Sequence, residues 1–154
     1  MKKLFLTVLA IGCVLALGGS MALAAETGTK DEATAMVKKA IGLIKASGPE
    51  KAYAEFSNPK GAFVDRDLYV VVYDMNGKCL AHGANPKMIG RDLIDNKDVD
   101  GKEFVKERVA MMKTQANGWQ DYKFRNPTSN QIEPKSMYIE RVNDVIVGCG
   151  VYLK

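Results

Sequence analysis

His82 is the single histidine in 154 residues, and no serine or cysteine is visibly placed to act as a nucleophile with it as base. Catalysis is therefore not expected, and an enzyme is kept only as the rival class. Of three cysteines, Cys13 lies in an N-terminal apolar run, while Cys79 and Cys149 lie in the body of the chain. The sequence contains no Cys-x-x-Cys-His, which excludes covalent c-type haem. Asn96, Asp98, Asp100, Gly101 and Glu107 imitate the spacing of a calcium-binding EF-hand loop. The imitation fails at its first position, which is Asn, and at its eighth, Glu103, where an apolar residue is usual. No amphipathic helix precedes it. Acidic residues capping a following helix explain the run better. No other metal-ligand spacing occurs, and no cofactor is expected. These residues indicate no bond-making chemistry and leave a binding role open.

The elements that would position such a site are legible. Thr29-Lys30-Asp31-Glu32 is a capping box, and apolar residues follow at Ala33, Met36, Val37, Ala40, Ile41 and Ile44. Gly48-Pro49 stops that helix. Ser47-Gly48-Pro49-Glu50 starts a short second one ending near Phe56. Leu68 to Tyr73 reads as a first strand, Asn76-Gly77 as a hairpin turn, and Lys78 to His82 as the returning strand. Gly83 to Ile94 has no regular period and reads as a loop. A third helix is expected from about Asp100, with Phe104, Val105, Arg108, Val109, Met112 and Ala116 on one side and Gly118 at its end. Three strands close the chain: Trp119 to Arg125, Ser136 to Val142 and Val145 to Leu153.

Tyr69 to Tyr73 and Val145 to Val151 lack polar alternation, so both should be central and covered on both faces. Neighbours in sequence usually pair. The strand order meeting both conditions is 2-1-5-4-3. It separates Cys79 from Cys149 by one strand, about 9–10 Å between alpha carbons, too far for a disulfide. Two free thiols are expected.

The N-terminus has its own logic. Lys2 and Lys3, an apolar run from Leu4 to Leu17, and Ala22-Leu23-Ala24 have the layout of a signal peptide cleaved before Ala25. The alternative is an uncleaved anchor, since Leu4 to Ala25 is nearly long enough to cross a bilayer. A lipid-modified Cys13 fits less well, because apolar residues follow it. Removing residues 1–24 takes away Lys2 and Lys3 and no acid, leaving 20 basic and 18 acidic residues, a net charge of +2. So small an excess argues for neither nucleic acid nor membrane as partner, and leaves a small anion open.

Several motifs together resemble the single Cache domain family of extracytoplasmic small-molecule sensors. They are the Tyr-rich strand Tyr69 to Asp74, then Asn76-Gly77, Ala81-His82, Asn85-Pro86 and Ile89-Gly90. Lys97 to Phe104, Gly118-Trp119, Asp121-Tyr122-Lys123, Glu133-Pro134-Lys135-Ser136, Tyr138 and a final strand with glycines continue the series. Gly83, where relatives often carry Pro, and Cys149, where a small polar residue is more usual, depart from the pattern. The resemblance implies an α+β domain over residues 25–154. Its five-stranded antiparallel sheet is PAS-like, with an N-terminal helix and a helical insertion between the second and third strands. It also implies a ligand held against the sheet under the loop after the second strand.

On this chain that cup would comprise Tyr69, His82, Arg91, Trp119, Tyr122, Lys135 and Tyr138. Phenols, an imidazole N–H and a cation can replace the water around a carboxylate, and aromatic rings keep the cup dry. A short carboxylate such as acetate, propionate or pyruvate is the expected ligand. Each residue has a plainer role available. His82 and Trp119 could be structural, Arg91 could pair with Asp92 or Asp95, and Lys135 could be a solvated loop cation. Lys135 and Tyr138 have opposite parity, so both reach one cup only through a bulge or from the strand entrance. The resulting expectation is a periplasmic sensory domain for chemotaxis-related signal transduction, whose loop Gly83 to Asp95 opens and closes over the ligand. The chain stops at Lys154, where such receptors continue into an output module, so signalling is expected through a partner protein or a homodimer. The alternative is the same domain tethered by an uncleaved N-terminal helix.

Overall fold

The computed structural model describes residues 27–153, so the expected signal peptide lies outside the described residues. Two helices come first, α1 (Lys30–Ser47) and α2 (Pro49–Phe56). The capping box forms: Glu32 N–H donates to Thr29 Oγ1 at 3.2 Å, and Thr29 N–H donates to Glu32 Oε2 at 2.8 Å. Glu32 also pairs with Arg66 at 2.8 Å, tying the start of α1 to the sheet. Ala33, Val37, Ala40, Ile41 and Ile44 form the buried stripe. The second box expected at Ser47 does not form. Gly48, at φ 80°, is the cap of α2 and makes no side-chain bond. The sharp reversal there requires positive φ, which glycine supplies at least cost.

The sheet has six strands: β1 (Val64–Asp65), β2 (Leu68–Asp74), β3 (Cys79–His82), β4 (Asn117–Arg125), β5 (Ile132–Val142) and β6 (Val145–Tyr152). Its order is β1-β2-β6-β5-β4, with β3 also on β2, and all pairs are antiparallel. The order from β3 through β2, β6 and β5 to β4 is the one expected from the two apolar strands. The two-residue β1 shares an edge of β2 with β3 and is too short to leave a period in sequence. β5 starts at Ile132 rather than Ser136. Pro134 sits opposite Lys123 inside the ladder, and its carbonyl accepts from Leu153 N–H at 2.8 Å.

α3 (Phe104–Thr114) begins four residues later than expected. Asp98 closes a turn before the helix instead of capping it, accepting from Asp100 N–H at 2.9 Å and Lys102 N–H at 3.0 Å. The helix ends at Thr114, and Gly118 belongs to β4. The segment expected as an irregular loop is half ordered by backbone pairing. After a 3-10 turn at Pro86–Met88, Gly90 N–H donates to the Cys79 carbonyl at 2.8 Å, and Cys79 N–H donates to the Arg91 carbonyl at 2.9 Å.

Alternation divides the core in two. α1 and α2 cover Leu68, Val70, Val72, Val147, Cys149 and Val151. α3 and the 83–103 segment cover Tyr69, Val71, Tyr73, Met137, Ile139, Ile146 and Tyr152. Each buried Val, Ile or Phe contributes about 1.5–3 kcal/mol relative to exposure. Cys79 and Cys149 are free and buried, and belong to opposite clusters. Burial pushes their thiols up to about 11 and about 12, so neither is a reactive thiolate.

Candidate ligand-binding site

The α3 face of the sheet gathers the polar groups. Lys135 enters it from β5, directly opposite Tyr122 of β4 and Tyr152 of β6. It is 1% exposed. Its stem must cross β6 to reach β2, and Gly150 leaves the way open: a Cβ there would lie 2.6 Å from Lys135 Cε. At the far end the ammonium donates to Tyr69 Oη at 2.8 Å and to Tyr152 Oη at 3.3 Å. Tyr152 Oη in turn donates to the Arg125 carbonyl at 2.7 Å. The Nζ lies 4.0 and 4.5 Å from the Tyr69 and Tyr152 ring centroids. Among the described residues its partners are phenols, not a carboxylate. Burial pushes its pKa down to about 7.

His82 ends β3 and turns back into the protein, 2% exposed. Its Nδ1 accepts from Ala84 N–H at 3.2 Å and from Asn85 N–H at 3.0 Å. Those bonds place the ring proton on Nε2. The ring stacks on Tyr69, centroids 5.1 Å apart and planes at 23°. Burial first, and then the charges of Lys135 and Arg108, push its pKa down to about 3, so His82 is neutral at physiological pH.

Tyr69 and His82 form one wall of a cavity of about 520 Å³. Ala84, Asn85 and Met88 close it from the segment after β3, and Phe124 and Arg125 from β4. Lys97, Asp98 and Val99 form its rim. Asp98 holds that rim to the sheet by accepting from Lys123 N–H at 3.0 Å. Burial works against its charge, but donors from Lys123, Lys102 and Asp100 prevail, and its pKa is lowered.

The seven residues expected in one cup are divided by the sheet. Tyr69, His82, Lys135 and Tyr122 share the α3 face, with Tyr122 stacked on Phe104 at 4.7 Å. Trp119 and Tyr138 lie on the α1 face, paired with each other across β4 and β5, ring centroids 5.5 Å apart. Lys30 Nζ covers the Trp119 ring at 4.8 Å, and Tyr138 Oη donates to Glu140 at 2.9 Å. The β4–β5 register is unbroken, so no bulge brings Tyr138 round to join Lys135. Arg91 is exposed on the segment paired with β3 and is not part of the cavity wall.

Sequence reasoning missed Phe124, Tyr152 and Arg108. Phe124 shares the parity of Tyr122 on β4, which could have found it, whereas Tyr152 is placed only by the register that sets it opposite Lys135. Arg108 carried a plainer signal, a cation among the apolar residues of one helix side.

The comparisons fit this geometry. A family profile described as single Cache domain 2 matches residues 19–154. The methyl-accepting chemotaxis protein McpP of Pseudomonas putida is 33% identical over 91 residues, 58% of this chain. The sensor histidine kinase MctS of Rhizobium johnstonii is 31% identical over 90 residues, 57% of this chain. The matched parts are 17% and 19% of those two proteins' lengths. Among solved structures, a methyl-accepting chemotaxis protein from Vibrio parahaemolyticus has a TM-score of 0.70 at 24% identity, covering 80% of this chain and 87% of that one. A Cache chemosensory domain reported as a structural basis for carboxylic acid recognition has a TM-score of 0.64 at 25% identity, covering 80% and 88%.

Proposed function

The chain belongs to the single Cache domain 2 family, and from that premise we propose that it is a periplasmic sensory domain binding a short carboxylate. The observation carrying this is Lys135: a lysine 1% exposed, held by two phenols, with one of those phenols in the wall of a ligand-sized cavity. A buried cation is costly unless an anion or strong acceptor attends it. Tyr69 accepts from the ammonium and donates to Tyr152 Oη at 3.3 Å, because the Tyr152 proton goes to Arg125; on binding, its hydroxyl would turn from Tyr152 to donate into the cavity. Nε2–H of the neutral His82 supplies a second donor. A carboxylate accepts from both, and the carbon wall of Met88, Val99 and Phe124 suits a short aliphatic tail. Support also comes from the 25%-identical Cache domain associated with carboxylic acid recognition.

Chemoreceptors and sensor kinases among the relatives support a signalling partner reached by this domain or its dimer. On this reading the chain is exported and residues 1–24 are removed. Mass spectrometry of the exported protein checks it: the expected start is Ala25, and an intact Met1 favours the tethered form. Titration calorimetry of the purified protein with acetate, propionate and pyruvate tests the ligand class. Saturable heat with at least one acid, and a higher melting temperature in its presence, are expected. No heat and no shift with any acid would defeat the proposal.

A further inference from the structure

Arg108 is the largest fully buried side chain among the described residues. It projects from α3 toward β4, where its Nε donates to Gln120 Oε1 at 3.1 Å. Gln120 Nε2 donates to the Phe104 carbonyl at 2.8 Å, which fixes the amide and so the guanidinium. The other two nitrogens, Nη1 and Nη2, have no hydrogen-bond partner among the described residues. Around them stand three rings, Tyr73, Tyr122 and Phe104, with centroids 5.0, 5.2 and 5.6 Å from the guanidinium carbon. Burial works against the charge and the nearby Tyr122 and Tyr73 hydroxyls favour it, yet neither Nη1 nor Nη2 makes a well-directed hydrogen bond.

Packing alone does not account for this arrangement. A guanidinium keeps its proton at any working pH. The rings offset part of its charge, by about 0.5–2 kcal/mol for each well-placed contact. Two unpaired donors in a closed site still cost more than an apolar side chain of similar volume would. The free pair has the shape of a carboxylate receptor, two parallel N–H vectors in one plane. It also adjoins the proposed site. Tyr122, one wall of the box, is the cross-strand partner of Lys135 on the same face.

Building on the carboxylate-sensor reading above, we infer that Arg108 is a ligand-binding residue that grips the carboxylate through Nη1 and Nη2 inside the box of Tyr73, Phe104 and Tyr122. The remaining lone pairs of the same carboxylate then accept from Tyr69 and His82 on the cavity side, with Lys135 behind Tyr69. Because Arg108 is fully buried, the acid enters by parting α3 or the 83–103 segment from the sheet. Ligand binding is thereby coupled to the position of α3.

The test is calorimetry with acetate, propionate and pyruvate, together with ligand-free melting, on the wild type, Arg108→Met, Arg108→Lys and Lys135→Met. Arg108→Met is expected to abolish the heat while melting at or above the wild-type temperature, because it removes an uncompensated charge. Arg108→Lys keeps the charge but loses the fork, and is expected to bind at least tenfold more weakly. Arg108→Met that melts lower yet binds normally would make Arg108 a packing residue and overturn the inference. Should Arg108→Met fail to fold, wild-type affinity in Arg108→Lys overturns it equally. Loss of binding in Lys135→Met alone leaves the carboxylate reading standing and removes this one. A wild type that gives no heat with any acid removes both.

Discussion

The two faces of the sheet are made from alternate residues of the same strands, yet they do opposite things. On the α1 face, Val70, Val72, Val147 and Val151 meet Val37, Ile41 and Phe56, and the ionisable side chains in that cluster, Cys149 and Tyr138, have their pKa raised by burial. On the α3 face, Lys135, Arg108, His82 and Gln120 are buried among tyrosines. A hydrocarbon layer contributes transfer free energy without conditions. A layer holding two cations, neither in direct contact with a carboxylate among the described residues, gives some of that stability up. The difference separates the face that anchors the fold from the face that carries the candidate site.

The sharpest way to break the comparison is to damage the anchoring face. Phe56 is fully buried and makes an edge contact with Phe63 at 4.6 Å. Phe56→Ala is expected to destabilise by about 3–5 kcal/mol, read by urea unfolding, while the surviving folded fraction binds carboxylate with wild-type affinity. Weaker binding at unchanged stability would show that the faces are not separate.

Next is the cation itself. Lys135→Met is expected to weaken carboxylate binding about 100-fold, or about 2.7 kcal/mol, with little loss of stability. Its titration gives a second handle. The folded pKa of about 7 lies below the ordinary 10.5, so between those values the unfolded chain holds more protons. Stability should therefore rise with pH above 7, and the cost of the buried charge is fully felt below it. Carboxylate affinity should move the other way, falling as pH rises through 7. Lys135→Met should flatten both trends, and a pH-independent affinity in the wild type would exclude a charged Lys135 from binding.

How far the sequence reveals this division depends on what alternation can encode. Strand order was readable because Tyr69–Tyr73 and Val145–Val151 are apolar on both faces, which only central strands require. The start of α1 was readable because Thr29 and Glu32 form a local motif. The start of α3 was not. Asp98 had three backbone donors to choose from, one of them Lys123 on a distant strand, and long-range bonds leave no local pattern. The site was half readable. Motif order brought Tyr69, His82, Tyr122 and Lys135 forward but could not say which face Trp119 and Tyr138 take. Parity already placed Tyr138 against Lys135, and the unbroken register upheld it.

A smaller effect probes how Lys135 arrives. Gly150→Ala would place a methyl 2.6 Å from Lys135 Cε, and the flexible stem must yield. The ammonium then loses its alignment with Tyr69. About a tenfold fall in affinity, or about 1.4 kcal/mol, is expected, together with a lower melting temperature, because the methyl would also lie 3.0 Å from the Ser136 carbonyl oxygen and 3.1 Å from Met137 Cα. Unchanged affinity would mean that Lys135 does not need the path over Gly150.

The smallest effect bears most directly on the division between the faces. Tyr138 lies under α1, and its hydroxyl donates to Glu140, which also pairs with Lys38 at 2.6 Å. Tyr138→Phe keeps the ring against Trp119 and removes one half-exposed hydrogen bond, so a loss of about 0.5–1.5 kcal/mol in stability is expected. Carboxylate affinity should not change, because a β-strand residue on one face has no route to a ligand on the other. The resemblance alone puts Tyr138 in the cup, and the register puts it on the opposite side of the sheet. A fall in affinity without a matching fall in stability would mean that the ligand lies under α1, and that the buried cations of the α3 face serve some other purpose.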